Sequence, residues 1–197
     1  MDLKDIKIVL ASASPSRRML FEQLGIAFTV RVSGVDETVP AHLSPEEKVE
    51  ILSKRKLYAV KEDCEGCAVI AADSLIDLNG ETLGKPETPQ AARLMLRRLS
   101  GQTHHVVTGV SIAFKGQEAV FSRRTAVTFY DLTDQEIAAY VDTGESMGRA
   151  GAYGIEGKGA LLIKSINGDY ANIVGLPLAA TFRCLRDLGL RPSLQTF

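Results

Sequence analysis

Three groups of side chains in this sequence have types and spacings that could do chemistry together. In residues 8–18, IVLASASPSRR, an apolar run gives way to four small residues, a proline and two arginines. Pro15 fits the first position of a helix, where its missing N–H would have had no intrahelical acceptor anyway. Arg17 and Arg18 then fall in the first helical turn, where a cation opposes the helix dipole. That cost makes sense if an anion occupies the turn, held by backbone N–H groups, the Ser12 and Ser14 hydroxyls and an arginine fork. Phosphate is the natural candidate. The competing reading is a plain strand-to-helix turn whose arginines point to water.

The second group is Asp73 and Lys85. Residues 67–72, CAVIAA, read as a buried strand that ends on Asp73-Ser74. Residues 75–78, Asn79-Gly80 and residues 81–83 read as a hairpin, because Asn-Gly supplies both left-handed positions of a type I′ turn. The return strand would bring Gly84-Lys85-Pro86 back near Asp73, so that a carboxylate and an ammonium meet at the mouth of the sheet. The third group is a glycine-rich run at residues 148–159, GRAGAYGIEGKG. Ligands of open α/β sheets collect at the carboxyl ends of strands, and a phosphate cradle beside a carboxylate is the minimum equipment for metal-assisted phosphoryl chemistry. Alternatively, the glycines are ordinary turn residues and Asp73 is a helix cap or a surface acid.

The elements that must position these groups alternate along the chain. A first helix from Pro15 should stop at Gly25, followed by a strand at residues 27–32 and a polar, acidic turn at residues 33–38. Ser44-Pro45-Glu46-Glu47 is a capping box that opens a helix to Lys61, with Val49, Leu52, Leu57 and Val60 on its apolar side. Lys54, Arg55 and Lys56 form a solvated face from which one could reach inward. Thr88-Pro89 caps a helix with an Ala92, Leu96, Leu99 stripe that stops at Gly101. Residues 104–114 and 119–129 form a long ribbon about Lys115-Gly116. A second capping box, Thr133 to Glu136, opens a helix to Val141. Residues 160–166 read as a strand and Pro177 begins a last helix ending near Gly189. This order predicts a single domain of class α/β with a mixed sheet.

Composition narrows the function. The 197 residues are 45% hydrophobic and 24% charged, with net charge −1, so no global basic field exists to drive nucleic-acid binding. Basic residues cluster locally instead, which suits a small polyanion. No segment approaches the roughly 20 apolar residues that a membrane span needs, and MDLKDIK leads into no signal-like run. A cytoplasmic protein is expected. Cys64 and Cys67 form a C-x-x-C, but a zinc site would draw on Cys184, His42, His104 and His105, none with paired spacing. Two reduced thiols at the mouth of a strand are the simpler reading.

LASASPSRR (10–18), AADS (71–74), LGKP (83–86), LSGQTHHVVTGV (99–110), GAYGIEGKG (151–159) and NIVGLPL (172–178) together resemble the Maf family of nucleoside triphosphate pyrophosphatases, in the same order and nearly end to end. The resemblance implies an elongated mixed sheet similar to that of the inosine triphosphate pyrophosphatases. It implies Mg²⁺- or Mn²⁺-dependent hydrolysis of the α–β bond of a nucleoside triphosphate, commonly by a homodimer. By position, Asp73 resembles the general base, Arg17 the arginine of the phosphate turn beside Ser12 and Ser14, and Lys56 and Lys85 the lysines that clamp the triphosphate. Glu37 and Asp73 match the candidates that hold the metal. At the specificity positions Ser16 and Ser74 depart from both the dTTP/UTP-like and the 7-methyl-GTP-like branches, Glu156 joins the acidic residue of the second to the AYGI frame of the first, and Gly148-Arg149 stands where Asp-Lys is usual, so the chain matches neither branch. The family is also tied to septum formation, so a nucleotide-binding regulator of cell division without significant turnover is the alternative.

Overall fold

Residues 8–10, IVL, are a short apolar run, and they form a short parallel strand. The computed structural model describes residues 5–64 and 66–190, so Met1–Lys4 of the charged N-terminal stretch lie outside it. Strand β1 (Ile8–Leu10) is fully buried and pairs in parallel with β2 (Phe28–Val30) and with the start of β3 (Ala68–Leu78), with Ile8 opposite Phe28 and Ala68. Between them run α1 (Pro15–Gln23) and α2 (Pro45–Lys61). Helix α1 ends where expected, at a left-handed Gly25. Helix α2 carries the full capping box, Ser44 and Glu47 each bonding the other's backbone N–H. Strand β2 is shorter than residues 27–32.

After β3 come β4 (Glu81–Leu83), α3 (Pro89–Leu99), β5 (Thr103–Phe114), β6 (Gln117–Phe129), α4 (Asp134–Asp142), β7 (Ile163–Asn167), α5 (Tyr170–Val174) and α6 (Leu178–Asp187). The seven strands form one mixed sheet in the order β2-β1-β3-β5-β6-β7, with β4 paired to β3. Asn79 and Gly80 both take positive φ, and so do Lys115 and Gly116 at the β5–β6 turn.

The larger differences from the sequence reading lie after α2. Strand β3 does not end at Asp73-Ser74 but runs through them to Leu78, so the buried run and the first arm of the hairpin are one 11-residue strand. A charged residue in mid-strand looks like an ending when its partner is far away in sequence. The strand expected at residues 160–166 starts only at Ile163, because Lys158–Leu162 wind into a 3₁₀ turn. Helix α5 is only five residues long and has no counterpart in the sequence pattern.

By contacts the chain forms two compact units, and β3, β5 and β6 each contribute residues to both. The first takes Met1–Asp73, Thr108–Arg123 and Gly175–Phe197. Its core includes Val9, Ala11, Leu57, Val60, Val69 and Ala71. Helix α2 lies close on β5 there: a Cβ at Gly109 would fall 2.5 Å from the Val49 carbonyl, and the Ser53 and Ser111 hydroxyls are 2.8 Å apart. Cys64 and Cys67 are buried thiols at the start of β3, and burial pushes that of Cys67 up, which makes it a poor nucleophile.

The second unit takes Ser74–Val107 and Arg124–Val174. Its core gathers the Ala92, Leu96, Leu99 stripe of α3 with Ile76, Phe129, Ile137 and Tyr153. His104 is fully buried there, edge-on to Phe129 and Tyr153, with Nε2 2.7 Å from the Tyr153 hydroxyl. Burial pushes its pKa down to about 4.

Candidate functional site

The turn between β1 and α1 folds around its own side chains. Ser14 is the N-cap of α1 and its hydroxyl accepts from the Arg17 N–H at 3.4 Å. The Ser12 hydroxyl accepts from the Ser14 N–H at 3.2 Å and from Arg17 Nη1 at 3.1 Å. Arg17 Nε donates to the Gly175 carbonyl at 2.7 Å. Arg17 is therefore buried and held from two sides by the chain itself. The Ser12 hydroxyl and the Gly175 carbonyl are neutral acceptors, so they orient the guanidinium without neutralising its charge. Exposed Arg18 finds Glu22 one turn on, at 3.8 Å.

Asp73 and Glu37 act on the same arginine. Burial pushes the Arg17 guanidinium below its ordinary pKa, and the charges of Asp73 and Glu37 pull the other way. Both carboxylates also converge on one ammonium. Lys56 Nζ, on α2, lies 2.5 Å from Asp73 Oδ1 and 2.7 Å from Glu37 Oε1. Of the three basic residues 54–56, Lys56 is the one that turns inward, with its side chain only 10% exposed. The Asp73 side chain is 12% exposed and that of Glu37 is 60% exposed, so the pair is deep on one side and open on the other. Ser12, Ser14, Arg17, Glu37, Lys56 and Asp73 thus belong to one unit. Within it, hydrogen bonds and ion pairs join the two serines to Arg17 and the two acids to Lys56, with Arg17 in the field of both acids. Ser16 is half-buried in the first turn of α1.

Ser74, Lys85 and Glu156 belong to the second unit. Half-buried Ser74 follows Asp73 along β3. Lys85 is exposed and comes two residues after the last ladder pair of the hairpin, Ile76 with Leu83. Glu156 sits in the glycine-rich run, its side chain 11% exposed, 2.5 Å from Arg149 Nη1.

Two amides of that run already have an acceptor. The N–H groups of Lys158 and Gly159 donate to Glu145, at 2.9 and 3.0 Å, and the Tyr140 hydroxyl donates to the same carboxylate at 3.1 Å. Glu145 and the Gly175 carbonyl are the groups the sequence did not disclose. Gly175 lies in the NIVGLPL motif, which is a usable signal. Glu145 meets the loop 13 and 14 residues away and has no local signature.

The family model described as Maf-like protein matches residues 7–188. A dTTP/UTP pyrophosphatase of Moorella thermoacetica is 50% identical, over 93% of this chain and 96% of the relative. Proteins of the same description from Pelotomaculum thermopropionicum and a Geobacillus species are 47% and 45% identical, each over 93% of this chain and 97% and 98% of their own lengths. Among solved structures, the Staphylococcus aureus Ham1 protein is similar at a TM-score of 0.43 and 21% identity, over 64% of this chain and 72% of that one.

Proposed function

The chain belongs to the family of Maf-like proteins, and on that premise we propose that it hydrolyses nucleoside triphosphates, dTTP and UTP foremost, to the monophosphate and pyrophosphate. The observation that carries this reading is the meeting of two carboxylates on the Lys56 ammonium beside buried Arg17. Such a cluster offers negative oxygens for a metal and a water, and positive groups for a triphosphate, in one place.

The donor set suits a hard divalent ion. Among the described residues no three His, Cys, Asp or Glu side chains gather into a metal cage. Mg²⁺ is usually held by one or two carboxylates together with substrate phosphates, and Asp73 and Glu37 supply that pair of oxygen donors; Mn²⁺ accepts the same ligands. When bound, the ion would neutralise charge on the phosphates. Asp73 takes the proton of the attacking water as oxygen bonds to the α-phosphorus and the bond to the pyrophosphate oxygen breaks. Lys56, Lys85 and Arg17 clamp the triphosphate, and the Ser12 and Ser14 hydroxyls donate to its oxygens. Ser16, Ser74 and Glu156 line the nucleoside. The family match runs through both compact units, which supports one functional domain over residues 1–197.

The nucleotide is taken free, without nucleic acid or membrane, by a homodimer in the cytoplasm. A net charge of −1 supports the first point. No described helix is long and apolar enough to cross a membrane. Pyrophosphate release across the common NTPs and dNTPs, with Mg²⁺ and with Mn²⁺, tests the proposal. dTTP and UTP should turn over fastest. Nucleotide binding with no release would overturn it and leave the regulator of cell division in its place.

A further inference from the structure

The glycine-rich run has a charge at its centre that belongs to the protein. Glu145 Oε1 accepts from the Gly159 N–H and the Tyr140 hydroxyl, and Oε2 accepts from the Lys158 N–H. Consecutive amides aimed at one carboxylate form a nest, the arrangement that elsewhere receives phosphate. The glycines are spaced to make room for it. A Cβ at Gly157 would fall 2.5 Å from the Glu145 carboxylate, and one at Gly154 would fall 2.2 Å from Arg149 Nη1. One at Gly159 would meet the Gly154 carbonyl at 2.5 Å, and the Gly154 N–H donates to the Tyr140 hydroxyl at 3.3 Å. Three glycines are therefore accounted for by two of the chain's own charged groups and by the close return of the loop on itself.

We infer that Glu145 is a positioning residue: it occupies the amide nest of the loop as a resident anion, and so fixes the turn that carries Glu156 and its partner Arg149. Burial works against the Glu145 charge, but the bonds from Gly159, Lys158 and Tyr140 outweigh it and hold the carboxyl below its usual range. Glu145 also acts electrostatically on Arg149, which bonds Glu156. The loop thus reaches the nucleotide through a preset side-chain pair and not through its amides. This rests on the reading that Glu156 contacts the nucleotide.

The test uses the full chain and Glu145→Gln, which keeps the shape but puts an amide donor against amide donors. Hydrogen exchange should show the Lys158 and Gly159 amides protected in the wild type and exchanging about tenfold faster or more in the variant. KM for dTTP should rise about tenfold while kcat changes less than about twofold, as expected when uniform binding is lost. Adding Glu156→Ala should then cost little more, since the two act together. Equal exchange at both amides in the two proteins, or freed amides with an unchanged KM, would overturn the inference. If Glu145→Gln does not fold, Tyr140→Phe serves: it removes the bond to Glu145 and the acceptor of the Gly154 N–H, and should give faster exchange at Gly154 and a KM rise of about threefold; no change in either overturns it as well. A wild type that releases no pyrophosphate refutes the proposed function, while the exchange readout still decides whether Glu145 pins the loop.

Discussion

The two units each build a cluster of opposite charges, and the clusters are satisfied in different ways. Around Lys56 two carboxylates share one ammonium, and one of them, Glu37, is largely open to solvent. Around Glu145 one carboxylate receives two backbone N–H groups and a tyrosine hydroxyl from its own neighbourhood. The first arrangement pairs side chains that a charged ligand can re-pair. The second is closed by main chain, which cannot move aside without unwinding the loop.

The largest expected effect is at Asp73. Asp73→Ala should lower kcat for pyrophosphate release by about 10²–10⁴ with the far-UV circular dichroism unchanged; a variant that kept wild-type turnover would remove Asp73 as the base. Lys85→Met asks whether the second unit supplies positive charge to the chemistry. It should cost about 10²-fold in kcat, the effect of losing one electrostatic donor, and a change in KM alone would contradict that role.

Stability predictions separate the units further. His104 has its pKa lowered to about 4 in the folded chain, against about 6.5 unfolded. Below about 6.5 the unfolded chain binds the extra proton, so stability should fall as pH drops from there towards 4, by up to about 3 kcal/mol. Chemical denaturation across that range should show the loss in wild type and a flatter profile in His104→Gln. In the first unit, Gly109→Ala drives a methyl into the backbone of α2, and should destabilise by about 1–3 kcal/mol. An unchanged denaturation midpoint would show that the helix carrying Lys56 is free to shift.

Local chemistry was legible and distant chemistry was not. The capping boxes at Ser44–Glu47 and Thr133–Glu136 and the Asn79-Gly80 turn are written in three or four adjacent residues, and they appear where the sequence puts them. The helix pattern lets one residue among Lys54, Arg55 and Lys56 turn inward, but which one depends on acids that lie 17 and 19 residues away. A carboxylate inside a buried strand makes sense only once Lys56 faces it, so on the sequence alone Asp73 reads as a strand end. The glycines at 154, 157 and 159 were visible from the start. Their reason, Arg149 and Glu145 packed where side chains would otherwise stand, was not.

The account turns on where the triphosphate lies, and a crystal structure of the chain with Mg²⁺ and a non-hydrolysable dTTP analogue measures that directly. It should place a phosphate oxygen within about 3.2 Å of Lys56 Nζ, with Asp73 beside the α-phosphorus and Glu37 released from the lysine. A triphosphate bound with no atom near Lys56 or Asp73, and both ion pairs intact, would contradict it.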